Sequence, residues 1–118
     1  AFYTRKSGFN LDYKIDSPEE IAELLHTKWE LGLNGGAVIA NPIPEEYSMD
    51  SEVINKVIEN AILEADKLGI KGKDTTPFLL DKIQKLTEGS SLKANIELVF
   101  NNTKLATQIA KELANLEK

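Results

Sequence analysis

A short apolar run bounded by turn residues, at positions 37–40, constrains this chain more than any other feature. It follows a pair of glycines at 35–36 and stops at Asn41, after which Pro42 and Pro44 prevent regular backbone pairing. About four to six apolar residues closed by turn signals are typical of a buried strand in a parallel sheet. Helical patterns precede and follow the run, which is the element order of an α/β fold.

The segment 41–47, which leaves this predicted strand, is a candidate rim of a binding site. In open α/β sheets, ligands bind beyond the carboxyl ends of the strands. Pro42 and Pro44 push the preceding residues, Asn41 and Ile43, into extended geometry and make the segment stiff. We therefore predict that Asn41 binds the ligand. A rigid connector without any ligand contact explains the same pattern, and the sequence leaves that alternative open.

Four amphipathic helices and one further strand are predicted around this feature. Alternation of apolar and polar residues over 11–15 indicates a short edge strand. Each helix begins at a capping residue, and a glycine ends three of them. The caps are Ser17, Asp50, Thr76 and Ser91, and the glycines are Gly32, Gly69 and Gly89. The second and fourth helices span 51–68 and 92–116. The predicted class is therefore α/β, helix-rich, with one or two strands.

Composition excludes several classes of protein. The net charge of −5 argues against a broad nucleic-acid surface, and no apolar run approaches the length of a membrane span. The chain has no cysteine, which fits a reducing compartment, so we expect a soluble, cytoplasmic protein. One or two strands are too little sheet for four helices, since sheets usually have about four to six strands. We therefore expect these 118 residues to be part of a longer chain.

We assign no catalytic or ligand-binding role to several ionisable side chains. His26 is the only histidine and lies on the flank of a helix, where a surface position is the simpler explanation. Glu45 and Glu46 are adjacent, but adjacency alone does not make an acid–base pair. The basic turn at 5–8 has the composition of a small anion site, although a solvated loop explains it equally well. The residues show no cluster at metal-ligand spacing.

Three separated motifs, GGAVIANPIPEEY, KGKDTTPFLL and SLKANIELVFNNTKLATQIA, resemble the C-terminal part of the pseudouridine-5′-phosphate glycosidase family, also called indigoidine synthase A. The opening segment, FYTRKSGF, resembles the corresponding segment of that family. The resemblance covers essentially the whole chain, whereas family members are considerably longer. It therefore implies that residues 1–118 are the C-terminal portion of a single larger catalytic domain with an α/β/α sandwich fold.

The resemblance also implies a reaction, the reversible cleavage of the C–C glycosidic bond of pseudouridine 5′-phosphate to uracil and ribose 5-phosphate. The resemblance implies that a lysine forms a Schiff base with the ring-opened sugar. A C–C glycosidic bond has no glycosidic oxygen that an acid could protonate, and the imine instead accepts the electrons of the breaking bond. Manganese or another divalent metal and a homotrimer are implied as well. The lysine and the metal ligands belong to the upstream part, so Lys6, Lys71 and Lys73 are not assigned that role.

Asn95 is the predicted catalytic and substrate-binding residue of this portion. At about 100° per residue, Asn95 and Asn102 lie near the middle of an apolar arc on the last helix. A buried amide without partners costs about 1–3 kcal/mol, so each needs a partner. For Asn102 we expect a hydrogen bond to neighbouring backbone, and for Asn95 the resemblance implies the uracil side of the site. The predicted arc consists of Leu92, Ile96, Val99, Ala106, Ile109, Ala110 and Leu113.

A second class of function fits the same residues. Apolar stripes on four helices with little sheet also suit a small non-catalytic α/β interaction module that works through a partner chain. The extent of the native chain discriminates between the two. A longer product with an upstream lysine and an acidic metal site excludes the module.

Overall fold

The structure of the protein is a computed structural model, and it describes residues 2–117. Within that range the regular elements are all helical, and none of the helices is long and apolar enough to cross a membrane. Two single-turn 3₁₀ helices, Glu45–Tyr47 and Gly72–Asp74, lie between the longer elements. The α-helices are α1 (Pro18–Glu30), α2 (Ser51–Lys67), α3 (Thr75–Leu86) and α4 (Ser90–Leu116).

The described residues divide into two units. Unit 1 comprises residues 2–7 and 42–98, and unit 2 comprises residues 8–41 and 99–117. Unit 1 therefore contains α2, α3 and the beginning of α4, whereas unit 2 contains α1 and the remainder of α4. Each unit has a hydrophobic cluster of its own.

The core of unit 1 gathers around Ile43 and Ile54, whose side chains are 0% and 1% exposed. Ile43 comes from the proline-bounded segment, so this segment contributes to the core as well as connecting elements. Ile54 begins a helical stripe on α2, because residues spaced by three, four or seven share one face. The other buried members of the cluster are Tyr3, Ala61, Ile83, Ala94 and Leu98.

Two hydrogen bonds hold the N-terminal segment against the segment around the prolines in unit 1. The Met49 N–H donates to the Tyr3 carbonyl at 2.8 Å. The Arg5 guanidinium donates through Nη1 to the Ile43 carbonyl at 2.7 Å. A charged donor makes a stronger bond than a neutral one, so Arg5 has a structural task that its position in a basic turn did not indicate.

Unit 2 has a smaller cluster, in which Ile21 and Leu25 of α1 are buried with Ile109 of α4. Trp29, one turn after Leu25 on α1, is 45% exposed. Lys28 donates through Nζ to the carbonyls of residues 33 and 35, at 2.6 and 2.8 Å, and so holds the following loop against the end of α1.

The two predicted strands are wrong for the residues that the structure describes. Residues 11–15 and 37–40 are not paired as strands, and the side chain of Val38 is 95% exposed. A strand forms only when a neighbouring strand takes up its N–H and C=O groups. Within 2–117 neither segment has such a neighbour, so the prediction of a helix-rich chain is confirmed but that of one or two strands is not.

Local signals at the first two helices are confirmed. Ser17 Oγ accepts a hydrogen bond from the Glu20 N–H at 3.2 Å, with Pro18 in the first turn of α1. Asp50 Oδ1 accepts from the N–H groups of residues 52 and 53, both at 3.0 Å, and so caps α2. Both sets of bonds satisfy backbone donors that a helix start leaves unpaired.

The predicted caps of α3 and α4 are wrong. Thr76 lies inside α3, which begins at Thr75 directly after a 3₁₀ turn. Ser91 lies inside α4 and is 2% exposed, and its N–H donates to Thr87 Oγ1 at 3.2 Å. Thr87 therefore serves as the side-chain acceptor at the start of α4, because the short turn between the two helices brings its hydroxyl close to that end.

The predicted apolar arc of α4 is wrong at most of its positions. In its second half Ile109 is buried and Leu113 is half-buried, but Ala106 and Ala110 are exposed. Leu92, Ile96 and Val99 are 42%, 45% and 54% exposed, whereas Ala94 and Leu98 are buried at 3% and 7%. Both stripes are apolar and adjacent on the helix, so periodicity alone cannot select the one that faces the core.

The corner between α3 and α4 contains a strained residue. Glu88 has φ 50, and the following Gly89 N–H donates to the Gln84 carbonyl at 3.0 Å, which closes the C-terminal turn of α3. A side chain in the left-handed region costs about 1–2 kcal/mol. Glycine avoids this cost but loses more chain entropy on folding.

We expect Glu88→Gly to raise the free energy of unfolding by about 0.5 kcal/mol, the balance of relieved strain and added chain entropy. Urea denaturation measures it. Glu88→Ala is the matched control, because alanine keeps the strained backbone and gains nothing. Equal stabilisation by both variants would show that the glutamate side chain, not its backbone conformation, is responsible.

Candidate functional site

A cavity in unit 1 lies between α3, the start of α4 and the N-terminal segment. Its volume is about 220 Å³. Three lining residues come from α3 and three from α4, and in both helices they are spaced i, i+1 and i+4, so each set shares one helix face. The seventh is a tyrosine of the N-terminal segment. The lining residues are Tyr3, Leu80, Asp81, Gln84, Ser91, Leu92 and Asn95.

The polar groups of this cavity are mostly neutral. Burial raises the pKa of the Tyr3 phenol above its ordinary value, so at neutral pH the hydroxyl keeps its proton and can donate it in a hydrogen bond. The Asp81 carboxylate lies 2.7 Å from Lys85 Nζ and is thereby paired. None of the seven lining side chains is a lysine or an arginine. The cavity therefore favours a neutral ligand that forms hydrogen bonds over a phosphate group.

Asn95 is a half-buried residue of α4 that lines the cavity. Within residues 2–117 its side-chain amide makes no hydrogen bond and is accessible to solvent, and the same holds for the side-chain amide of Gln84 on α3. An amide offers two donors and one carbonyl acceptor. Two amides with free hydrogen-bonding capacity thus border one cavity from two different helices.

Asn41 lies in unit 2 and is not among the residues that line the cavity. It is half-buried, and its Nδ2 donates to Asn102 Oδ1 at 3.0 Å. We predicted that Asn102 lies near the middle of the apolar arc of α4. This prediction is wrong, because Asn102 is exposed. The two asparagines instead join the end of the 31–41 loop to α4.

Three lining residues escape prediction from the sequence. Tyr3 belongs to an aromatic pair in a loop, Gln84 lies beside the buried Ile83 without any periodic signal, and Ser91 has the residue type of a helix cap. They meet because the N-terminal segment packs beside α3 and α4 in unit 1. This packing brings together residues that are distant in the chain, and the spacing of residues in the sequence does not predict it.

A metal site is not indicated in the described part of the chain. No group of three or more His, Asp or Glu side chains comes together within residues 2–117, and the chain has no cysteine. His26 is 4.0 Å from Glu30 on the same helix face and has no further ligand group among the described residues.

Curated proteins match this chain closely. A protein of Clostridium botulinum (strain Langeland / NCTC 10281 / Type F) named pseudouridine-5′-phosphate glycosidase is 57% identical over 118 residues, which is 100% of this chain and 38% of that protein. A protein of Petrotoga mobilis (strain DSM 10674 / SJ95) with the same name is 62% identical over 112 residues, 95% of this chain and 37% of that protein. The chain thus spans well under half the length of these relatives.

A solved structure shares the fold. The crystal structure of the prealnumycin C-glycosynthase AlnA in complex with ribulose 5-phosphate superposes with a TM-score of 0.85 at 21% identity, over 99% of this chain and 38% of that one. The family model described as indigoidine synthase A like protein matches residues 1–112. This match and the identity to the curated relatives agree, and the chain belongs to the indigoidine synthase A-like family.

Proposed function

We propose that the protein containing this chain is a pseudouridine-5′-phosphate glycosidase. It reversibly cleaves the C–C glycosidic bond of pseudouridine 5′-phosphate to give uracil and ribose 5-phosphate. The observation that carries the proposal is the 57–62% identity to proteins of that name over nearly the whole chain. The alternative of a non-catalytic interaction module has no comparable support, because the matching relatives are more than twice as long as this chain.

Residues 1–118 would form the C-terminal portion of a single larger catalytic domain, an α/β/α sandwich in a homotrimer of the cytoplasm. The chain spans 38% of the length of the Clostridium botulinum relative, so most of such a domain would lie outside these residues. The Schiff-base lysine and the ligands of manganese or another divalent metal would come from the remaining part. This portion would recognise the base, which suits the neutral lining of the cavity.

Asn95 would hold uracil in that cavity. Along the edge of a uracil ring, C=O and N–H groups alternate, and an amide has a donor and an acceptor to match them. The amide lines the cavity and has no other hydrogen bond in the described part of the chain, so it is available to a ligand there. A C–C bond breaks more easily when the departing base is held in one orientation, because positioning lowers the entropic part of the barrier.

The test uses the full-length protein with pseudouridine 5′-phosphate and manganese. We expect uracil and ribose 5-phosphate in equal amounts, measured by chromatography of the base and an enzymatic assay of the sugar phosphate. Unphosphorylated pseudouridine is the control for phosphate recognition. Absence of both products from a folded, manganese-supplied full-length protein would contradict the proposal and favour the interaction module.

Asn41 would contact the substrate at the rim of the site. In the full-length protein, Asn41→Ala is then expected to lower kcat/KM about fivefold, corresponding to one hydrogen bond of about 1 kcal/mol, with melting nearly unchanged. Asn102→Ala is the matched control, because it removes the same Asn41–Asn102 bond without touching Asn41. If the two variants have equal kinetics, or if Asn41→Ala only lowers stability, Asn41 is a connector residue.

A further inference from the structure

We infer that Gln84 binds the pyrimidine base together with Asn95, as a second amide that holds the ring from the α3 side of the cavity. The inference deepens the proposed function and rests on it. Gln84 and Asn95 line the same cavity of about 220 Å³. No sequence pattern indicates a role for Gln84. Its role as a base-binding residue is inferred from its position in the structure.

The side-chain amide of Gln84 has hydrogen-bonding capacity that the fold does not use. The backbone carbonyl of Gln84 is used by the turn that ends α3, where the Gly89 N–H donates to it at 3.0 Å. The side-chain amide has no partner among residues 2–117 and is accessible to solvent. It is therefore available to a molecule that enters the cavity. One ligand in the cavity can bond to both amides at once.

The walls of the cavity are partly apolar. Leu80 and Leu92 line the cavity, one from each helix, and are 37% and 42% exposed. They offer apolar contacts to the faces of a flat ring, while the amides meet its edge. The cavity of about 220 Å³ has room for one heterocycle.

The lining of the cavity carries little charge. The only ionisable groups among the lining residues are the Tyr3 phenol and the Asp81 carboxylate, which is paired with Lys85 at 2.7 Å. A phosphate would meet a carboxylate and no cation in this lining. A neutral base with alternating donors and acceptors meets amides and hydroxyls, which complement it. The end of the substrate that fits here is therefore the base.

The test uses the full-length enzyme in the direction of synthesis, where uracil and ribose 5-phosphate have separate KM values. For Gln84→Ala we expect the KM for uracil to rise about tenfold, while the KM for ribose 5-phosphate and the melting temperature stay unchanged. Gln84→Glu keeps the shape but loses the NH₂ donor, and we expect it to weaken uracil binding at least as much. Gln108→Ala, an exposed glutamine on α4, is the matched control.

Calorimetric titration of uracil into each full-length variant separates the inference from the proposed function. If both Gln84 variants bind uracil with wild-type affinity and keep the wild-type KM for uracil, the inference is overturned and the proposed function is not affected. A parallel rise of both KM values or a fall in melting temperature in both variants also overturns it, because Gln84 then supports the fold. If the wild type binds uracil through Gln84 but does not cleave pseudouridine 5′-phosphate, the proposed reaction fails and the base site stands. A wild type that neither cleaves nor binds uracil overturns both.

Discussion

Replacing Asn95 with alanine in the full-length protein is expected to lower kcat/KM for pseudouridine 5′-phosphate by a factor of about 10 to 100. This range corresponds to about 1.5–3 kcal/mol of lost hydrogen bonding to the base. The amide lines the cavity and has no other hydrogen bond within 2–117, so the substrate would lose its partner without a rearrangement of the core. Steady-state kinetics measure the effect.

Asn95→Asp distinguishes lost hydrogen bonding from lost volume. The carboxylate keeps the shape of the side chain but replaces the donor with a charge, so we expect a loss at least as large as that of alanine. Asn60→Ala is the matched control, since Asn60 is an exposed asparagine on α2. Normal turnover by both Asn95 variants would show that Asn95 is structural and that the base binds elsewhere.

Replacing Ile43 with alanine is expected to lower the free energy of unfolding by about 2–5 kcal/mol, the usual cost of removing a large aliphatic side chain from a core. Ile43 is 0% exposed and packs in the cluster that contains Tyr3 and Ile54. The alanine leaves a void that the neighbouring proline-bounded backbone cannot close, because Pro42 and Pro44 restrict its dihedral angles. Urea denaturation of the full-length protein measures the loss.

A graded series checks the mechanism of that loss. Ile43→Val removes one methylene and should cost about 0.5–1.5 kcal/mol. Val53→Ala, at a position of α2 that is 58% exposed, should change stability by less than about 0.5 kcal/mol. Equal small effects for all three variants would mean that residues 42–44 do not belong to the cooperative core of the protein.

The structural features that could be predicted from the sequence depend on contacts between residues close together in the chain. The Ser17 and Asp50 caps act within three residues of their own position, so the residue types alone predict them. Predictions failed where a structural element depends on a partner that is distant in the chain. The run at 37–40 has the composition of a strand, but pairing needs another strand, and none lies beside it in residues 2–117.

The same distinction applies to the candidate site. The family resemblance pointed to Asn95, and the structure brings Asn95 into a cavity, which the helical pattern did not predict. Gln84 and Tyr3 carried no signal, because they meet Asn95 only through packing within unit 1. On α4 two adjacent apolar stripes are almost equivalent in sequence, and the packing of Ala94 and Leu98 decides between them.

The separation of the aromatic residues decides which optical signal reports which part of this chain. Its one tryptophan, Trp29, belongs to unit 2, whereas the Tyr3 phenol lines the cavity of unit 1. Tryptophan emission from this chain therefore originates in unit 2. A ligand in the cavity lies against a tyrosine of unit 1 and is expected to perturb tyrosine absorption in the near ultraviolet. Tyrosine absorption is therefore the signal to follow when the cavity is titrated.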